Sequence, residues 1–370
     1  MIPIHQPNLG PAELAAIAGV FDSRWLGMGD VTWRFEARLR EFLGSPEVVA
    51  VNNGTSALHL AMESLLPPPG AEVVVPSFTF VASIQAILMA RLTPVFCDIE
   101  LDTLNMDVSD ALDRVTPRTA IILPVHYGGV PCDLGRLVPA ARSRGLWVVE
   151  DAAHAFGSTY QGRPIGTHSD ATCFSFDAIK NITCGEGGVV ATPHAEVAAR
   201  LRVGRLLGMD LDSWSRRQDF LGGALNVRAP GWRYHLPNLN AAIGLAQLDR
   251  LEEFRLRKRA IVRRYREAFQ GLPGLALLRH PEGVFPFNFV IRVLDDRREA
   301  LARFLKDRGI ATGIHYVPNH LQPAFKRYYV PLPNTERAYR EVLTLPLSTN
   351  LTDQEVDRVI GAVTDFFARQ

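Results

Sequence analysis

Lys180 is the residue whose setting most suggests reactivity: in FSFDAIKNITCGEGGVV (174–190) it follows an apolar strand and precedes a glycine-rich turn. A lysine entering a pocket from a strand end can have its pKa pulled down from about 10.4, which frees the amine to attack an aldehyde. Taken alone, such a lysine is more often a solvated loop residue. Gly185, Gly187 and Gly188 alone would mean only a turn with positive φ angles.

Two other segments change that weighting. VVEDAAHAFGS (148–158) places Asp151 just past the carboxyl end of a strand, where ligands of doubly wound sheets gather. A carboxylate there can keep a pyridine nitrogen protonated, although it could equally cap a following helix. VNNGTSALHLA (51–61) runs from strand to helix through Gly54, Thr55 and Ser56, so backbone N–H groups and two hydroxyls could cradle a phosphate; a plain N-cap is the simpler meaning. Ser175, on the strand leading to Lys180, could add a hydroxyl to the same phosphate. Phe80, in PSFTFVAS (76–83), could offer an aromatic face to a flat ring, or simply be core. A phosphate cup, a carboxylate for a ring nitrogen and an amine for an aldehyde are the three handles of pyridoxal 5′-phosphate (PLP).

These residues need a scaffold of strands and helices. From about 47 to 192, the apolar runs VVAV, EVVVP, PVFCDI, AIILPV and LWVVED alternate with helical patterns such as TSALHLAMESLL (55–66) and TFVASIQAILMA (79–90). That alternation predicts an α/β domain with a mostly parallel central sheet, its strands covered on both faces. A helical stretch at 239–269 bridges to a second pattern: strand 287–293, helix 297–309, strand 310–317 and a last helix at 351–368. We therefore expect a large α/β domain over 1–245 and a small α+β domain over 246–370. The polar stretch at about 208–231 has no period and reads as a long functional loop.

A chain of 370 residues, 47% hydrophobic and 21% charged, has ordinary globular composition and enough length for two cores. Its net charge of +1 creates no field to recruit nucleic acid or an anionic membrane. No leader and no run of about 18 apolar residues is visible, so the cytoplasm is the expected location. Cys97, Cys132, Cys173 and Cys184 lack paired spacing, which argues against zinc or a disulfide framework and for buried thiols.

Across nearly the whole chain these motifs resemble the DegT-type (DegT/DnrJ/StrS) sugar aminotransferases, a branch of the fold-type-I PLP enzymes with the aspartate-aminotransferase-like fold. The resemblance is carried by NGTSAL (53–58), PSFTFVAS (76–83), LPVHYGG (123–129), EDAAHAFGS (150–158), SFDAIKNITCGEGG (175–188) and GIHYVPNHLQP (313–323). It implies that Lys180 is the Schiff-base lysine, Asp151 the partner of the pyridine nitrogen and Phe80 the residue stacked on the ring. It implies phosphate contacts from Thr55, Ser56 and Ser175, with Gly54 in the same cup, and places His154 beside the phenolic oxygen. His315 and Tyr316 fall in a segment that faces substrate in the family, or are ordinary strand residues at a domain interface.

The resemblance further implies amino transfer, through the pyridoxamine form of the cofactor, from L-glutamate to a nucleotide-linked 4-keto or 3-keto sugar in a homodimer with shared sites. No metal is required. A keto-cyclitol acceptor is the main alternative. A dehydratase branch carries histidine in place of the lysine, which Lys180 contradicts, and a non-enzymatic scaffold would have lost the cofactor residues. Many relatives use a G-x-N-x-R segment to reach the neighbouring subunit's phosphate; here Gly231-Trp232-Arg233-Tyr234-His235 stands instead, leaving Arg233 as the candidate phosphate partner. His154 leans toward amination at the sugar's fourth carbon. Arg205, Arg216, Arg217, Arg228, Arg233 and Arg327 are all candidates for the diphosphate.

Overall fold

The computed structural model of the chain describes residues 1–210, 214–215 and 226–368. The apolar runs form the strands β1 (Glu47–Val51), β2 (Glu72–Pro76), β3 (Thr93–Cys97), β4 (Thr119–Ile122) and β5 (Trp147–Asp151). A short hairpin, β6 (Thr159–Tyr160) with β7 (Arg163–Pro164), precedes β8 (Ala171–Ser175) and β9 (Gly188–Thr192). Seven of these strands make one sheet in the order β1-β9-β8-β5-β4-β2-β3. Its inner pairs are parallel, and only β9 runs against its neighbours β1 and β8. This is the mostly parallel sheet expected from the alternating pattern.

Because side chains alternate along a strand, the sheet feeds two cores. Val49, Val51, Val73, Val75 and Val149 face the helices Gly54–Ser64 and Val81–Met89. Val48, Ala50, Val74 and Val148 face the helices Asp30–Leu43 and Leu134–Arg142. β1, β2, β5 and β8 all run the same way, so the turns carrying Gly54, Phe80, Asp151 and Lys180 emerge at one edge.

The glycine-rich turn brings β9 against the loop after β1. Gly185 has φ +76°, the left-handed conformation expected of it, whereas Gly187 and Gly188 do not, and close approach explains Gly188. A Cβ there would lie 2.2 Å from the Asn53 carbonyl oxygen, and one at Gly54 would lie 2.8 Å from Ser175 Cβ. Gly188→Ala should therefore cost about 3 kcal/mol, the upper range for overpacking, seen as an earlier urea unfolding transition. An unshifted transition would show that this loop moves freely away from the sheet.

The second unit is an antiparallel sheet of β10 (Leu275–Leu277), β11 (Phe289–Val293) and β12 (Val342–Leu345), with helices Leu251–Phe269, Arg298–Lys306 and Asp353–Ala368 packed on it. Ile2 belongs to this core and bridges Ile310, so the chain's first residues pack with its last third. The helical stretch at 239–269 is two helices, Asn238–Asp249 and Leu251–Phe269, interrupted at Arg250, whose guanidinium is held by Asn8 and Glu13. The first packs on the large core; the second begins on it with Leu251 and Phe254 and continues on the small one with Ile261, Val262, Tyr265 and Phe269.

Residues 310–317 do not form the expected strand. Only single bridges occur there, Ile2 with Ile310 and Gly313 with Thr344. The Tyr127 hydroxyl donates to the His315 carbonyl and ties this segment to the large domain, while Thr344 Oγ1 on β12 meets the His315 ring at 2.8 Å. Part of the loop read at 208–231 lies outside the described residues. Among the described residues, no helix is long and apolar enough to cross a membrane and no cluster of metal-ligating side chains occurs. All four cysteines are free and buried, as expected.

Candidate active site at the carboxyl edge of the large sheet

A cavity of about 500 Å³ opens where the loops after β1, β2, β5 and β8 converge. Gly54, Thr55, Phe80, Asp151, His154, Ser175, Lys180, His315 and Tyr316 line it, together with His5 and Phe287. Residues far apart in sequence thus meet in one place.

One end is the start of the helix Gly54–Ser64. Asn53 caps it, its Oδ1 accepting from Ser56 N–H at 2.8 Å and its carbonyl from Ala57 N–H at 3.1 Å. The cap does not use the Gly54 and Thr55 amides, which are at the positive end of the helix dipole. Ser175 is beside them at the end of β8. Such an end suits a phosphate. Ser56 does not line the cavity; its amide serves the cap and its side chain is buried.

Asp151 is at the deep end, 5% exposed. Its Oδ2 accepts from Ser83 Oγ at 2.7 Å and its Oδ1 from Ala153 N–H at 3.1 Å. Turns rather than a helix follow it, so the helix-cap alternative does not hold. Lys180 reaches into the same space, its Nζ 4.5 Å from the centre of the Phe287 ring. Burial pushes its pKa down to about 8, against the pull of Asp151 and Asp177. At about 8 the amine is still mostly protonated at pH 7, but it gives up its proton far more readily than an ordinary lysine.

His154 stacks on Phe287 with 4.2 Å between centroids, its Nε2 3.1 Å from the Tyr316 hydroxyl. Gly128 N–H approaches His154 Nδ1 at 3.4 Å, which favours the neutral imidazole carrying its proton on Nε2. Burial first, and the charge of Lys180 next, hold the His154 pKa well below its ordinary value. Burial also lowers His315 and brings His5 to about 3, while it raises the Tyr316 phenol. Phe80 is 54% exposed at the edge of the cavity, 5.6 Å from the Tyr316 ring.

Arg233 is not brought to this cavity. It is exposed and lines a separate one of about 350 Å³ with Trp25, Met209 and His235. The expected arginines also sort themselves: Arg205 is buried against Glu36 and the Ala50 carbonyl, and Arg228 pairs with Asp210 at 2.9 Å. Arg327 lies over the Tyr328 ring, and Arg216 and Arg217 fall outside the described residues. Sequence reasoning missed Ser83, His5, Phe287 and the buried Lys258. Ser83 had a signal in PSFTFVAS, one turn after Phe80, whereas Phe287 read only as strand and His5 as part of an unremarkable N-terminus.

A mostly parallel sheet whose carboxyl edge joins an amine, a buried carboxylate and a free helix N-terminus has the architecture of a fold-type-I PLP enzyme. Residues 7–364 match the DegT/DnrJ/EryC1/StrS aminotransferase family, and the chain belongs to it. It is thus a PLP-dependent aminotransferase. It is 37% identical over 375 residues to the spore coat polysaccharide biosynthesis protein SpsC of Bacillus subtilis (strain 168), covering 98% of this chain and 96% of SpsC. The aminotransferase TlmJ from Streptoalloteichus hindustanus superposes with a TM-score of 0.93 at 40% identity, over 100% of this chain and 99% of TlmJ. The sugar aminotransferase CalS13 from Micromonospora echinospora does so with 0.91 at 32% identity, over 99% and 100% of the two chains.

Proposed function

We propose that this aminotransferase moves an amino group from L-glutamate to the keto carbon of a nucleotide-linked 4-keto or 3-keto 6-deoxyhexose, in amino-sugar or polysaccharide biosynthesis. One observation carries the chemistry: a single cavity holds the Lys180 amine, the buried Asp151 carboxylate and the Gly54–Thr55 amides with Ser175. The sugar acceptor is supported by relatives in polysaccharide biosynthesis and sugar amination.

The lining residues fit the phosphopyridoxal group, because a Cβ at Gly54 would fill space against Ser175 and the helix N-terminus keeps two amides free of its cap. Gly54, Thr55 and Ser175 would hold the phosphate, with Ser56 behind them fixing the cap. Asp151, steadied by Ser83, would hold the ring nitrogen's proton, and Phe80 would cover the ring. His154 would donate from Nε2 toward the phenolic oxygen. When bound, PLP supplies an aldehyde that accepts the amino group and a ring that takes up the electron pair left on the donor's α-carbon. Lys180 Nζ tethers the cofactor and, once released, carries the proton away from that carbon. His315 and Tyr316 close the side from which substrate would approach.

The working unit is proposed to be a homodimer. Leu26, Leu207, Trp232 and Val227 are large apolar side chains left exposed near Arg233, a surface that a second copy would cover. Arg233 would then serve the neighbouring subunit's phosphate.

The substrate reading has a direct test. The glutamate-treated enzyme, mixed with UDP-, GDP- and dTDP-linked keto-sugars and with scyllo-inosose, should regain the aldehyde spectrum and yield an aminated mass with a nucleotide sugar. Its affinity should weaken with salt, since charge pairing to a diphosphate is screened. Turnover of the cyclitol alone, or of none of these acceptors, would overturn the nucleotide-sugar reading.

A further inference from the structure

The helix Leu251–Phe269 carries Lys258, a second buried lysine beside the one that faces the cavity. It is 5% exposed, and its Nζ donates to Asn181 Oδ1 at 2.9 Å. Asn181 directly follows Lys180 in the chain and is itself fixed, its Nδ2 donating to the Phe285 carbonyl at 3.2 Å. The Phe287 ring is common to both amines: Lys180 Nζ lies 4.5 Å from its centre and Lys258 Nζ 5.7 Å. A recess of about 10 Å³, room for about one water, is lined by both lysines with His5 and Asn181.

An ammonium group has three donors and a high cost of burial, so a lysine kept there for packing alone would be expected to meet an acid. The hydrogen bond that Lys258 makes goes instead to a neutral amide. The charged or titratable groups facing it are cationic or basic, namely Lys180 across Phe287, His5 on the N-terminal segment and His154 after β5. On its own helix, Arg259 Nε donates to the Val284 carbonyl and the Arg255 guanidinium lies over the Phe285 ring. The opposing acids, Asp151 and Asp177, act on Lys180.

We propose that Lys258 is a positioning residue for Lys180: by holding Asn181 it anchors the turn that keeps the catalytic amine in its buried place. This rests on Lys180 being the covalent tether. Burial and the proximity of Lys180 bring Lys258 to about 7, while burial brings Lys180 to about 8. Of the two amines Lys180 therefore takes a proton first as the pH falls, and Lys258 is mostly neutral while Lys180 titrates. What keeps Lys180 below its ordinary value is its burial, which depends on where the turn through Asn181 is held. Releasing Asn181 should let water reach Lys180 and raise its pKa, so less of its amine is neutral at pH 7.

The measurement is the pH dependence of Lys180 acylation by trace acetic anhydride in full-length protein loaded with pyridoxamine phosphate, read by peptide mass spectrometry. In Lys258→Met the Lys180 midpoint should rise by about one unit, which lowers its labelling at pH 7 about tenfold. Lys258→Arg, which keeps donors for Asn181 and a permanent charge, should leave the midpoint at or below that of the wild type. A merely structural role would lower stability without moving the midpoint. An unmoved midpoint in folded Lys258→Met overturns the proposal. If that variant does not fold, the wild type decides: both lysines titrating near the ordinary value of about 10.4 also overturns it. Borohydride reduction of the PLP-loaded enzyme is a separate control. A label on another lysine would refute the tether at Lys180, an outcome distinct from failure of the titration.

Discussion

Lys180→Ala protein should retain PLP without the visible absorbance of a lysine-bound aldehyde, and should turn over at least about 10⁴-fold more slowly than the wild type. The size follows from losing the tether and the proton carrier together, each of which alone is worth several orders of magnitude. Retention follows from the geometry, because the Asn53-capped helix start, Ser175 and Asp151 make none of their hydrogen bonds through Lys180. The fold should survive as well. Burial already disfavours the charged amine, so its removal leaves Phe287 with only the more distant Lys258 amine near its ring and strands no ion-pair partner. Lys180→Arg should be as inactive as the alanine variant, since a guanidinium does not give up its proton at these pH values. Absorbance titration with added PLP and single-turnover mixing are the measurements. A visible spectrum unchanged by Lys180→Ala would place the covalent link on another residue.

Much of this site was legible in the sequence because strand ends in a parallel sheet gather at one edge. Once VVAV, LWVVED and the run before Lys180 read as parallel strands, Gly54, Asp151 and Lys180 had to emerge together. What escaped was set by tertiary packing. Arg233, expected at the neighbouring subunit's phosphate, lies away from this chain's own cavity, so its role turns on a second copy of the chain that the sequence does not display. The 310–317 segment has the alternation of a strand, yet beside its single bridges the His315 carbonyl and the Tyr316 hydroxyl meet Tyr127 and His154, so local pattern lost to contacts with the large domain. The break at Arg250 interrupts a run of good helix formers, and its partners Asn8 and Glu13 lie some 240 residues away in sequence. His5 and Lys258 looked like a terminal residue and one charge of a basic helix; both are placed by the docking of the two units. Periodicity carries no information about such encounters.

Asp151→Asn should keep its cofactor and lose the rate of amino transfer by about 10³-fold, the scale of removing one preorganised electrostatic partner. The substitution isolates charge from shape. An asparagine can still accept the Ala153 N–H through its oxygen, and its amide can donate to Ser83 Oγ, which has the Phe80 carbonyl at 3.3 Å and Thr79 Oγ1 at 3.0 Å as other partners. Folding and the phosphate cup are therefore expected to persist. What disappears is the negative charge that keeps a pyridine nitrogen protonated, and with it the ring's capacity to accept electrons from the donor's α-carbon. The neighbouring acid offers no substitute. Strand alternation turns Glu150 to the other face of β5, where it is bound by His126 Nε2 at 2.6 Å, Ser169 Oγ at 2.5 Å and Thr172 Oγ1 at 2.8 Å. Rapid mixing of the loaded variant with L-glutamate, followed as decay of the aldehyde absorbance, separates this step from cofactor capture. If the variant converts its cofactor as fast as the wild type, Asp151 serves only the turn at Ala153 and the ring nitrogen has another partner.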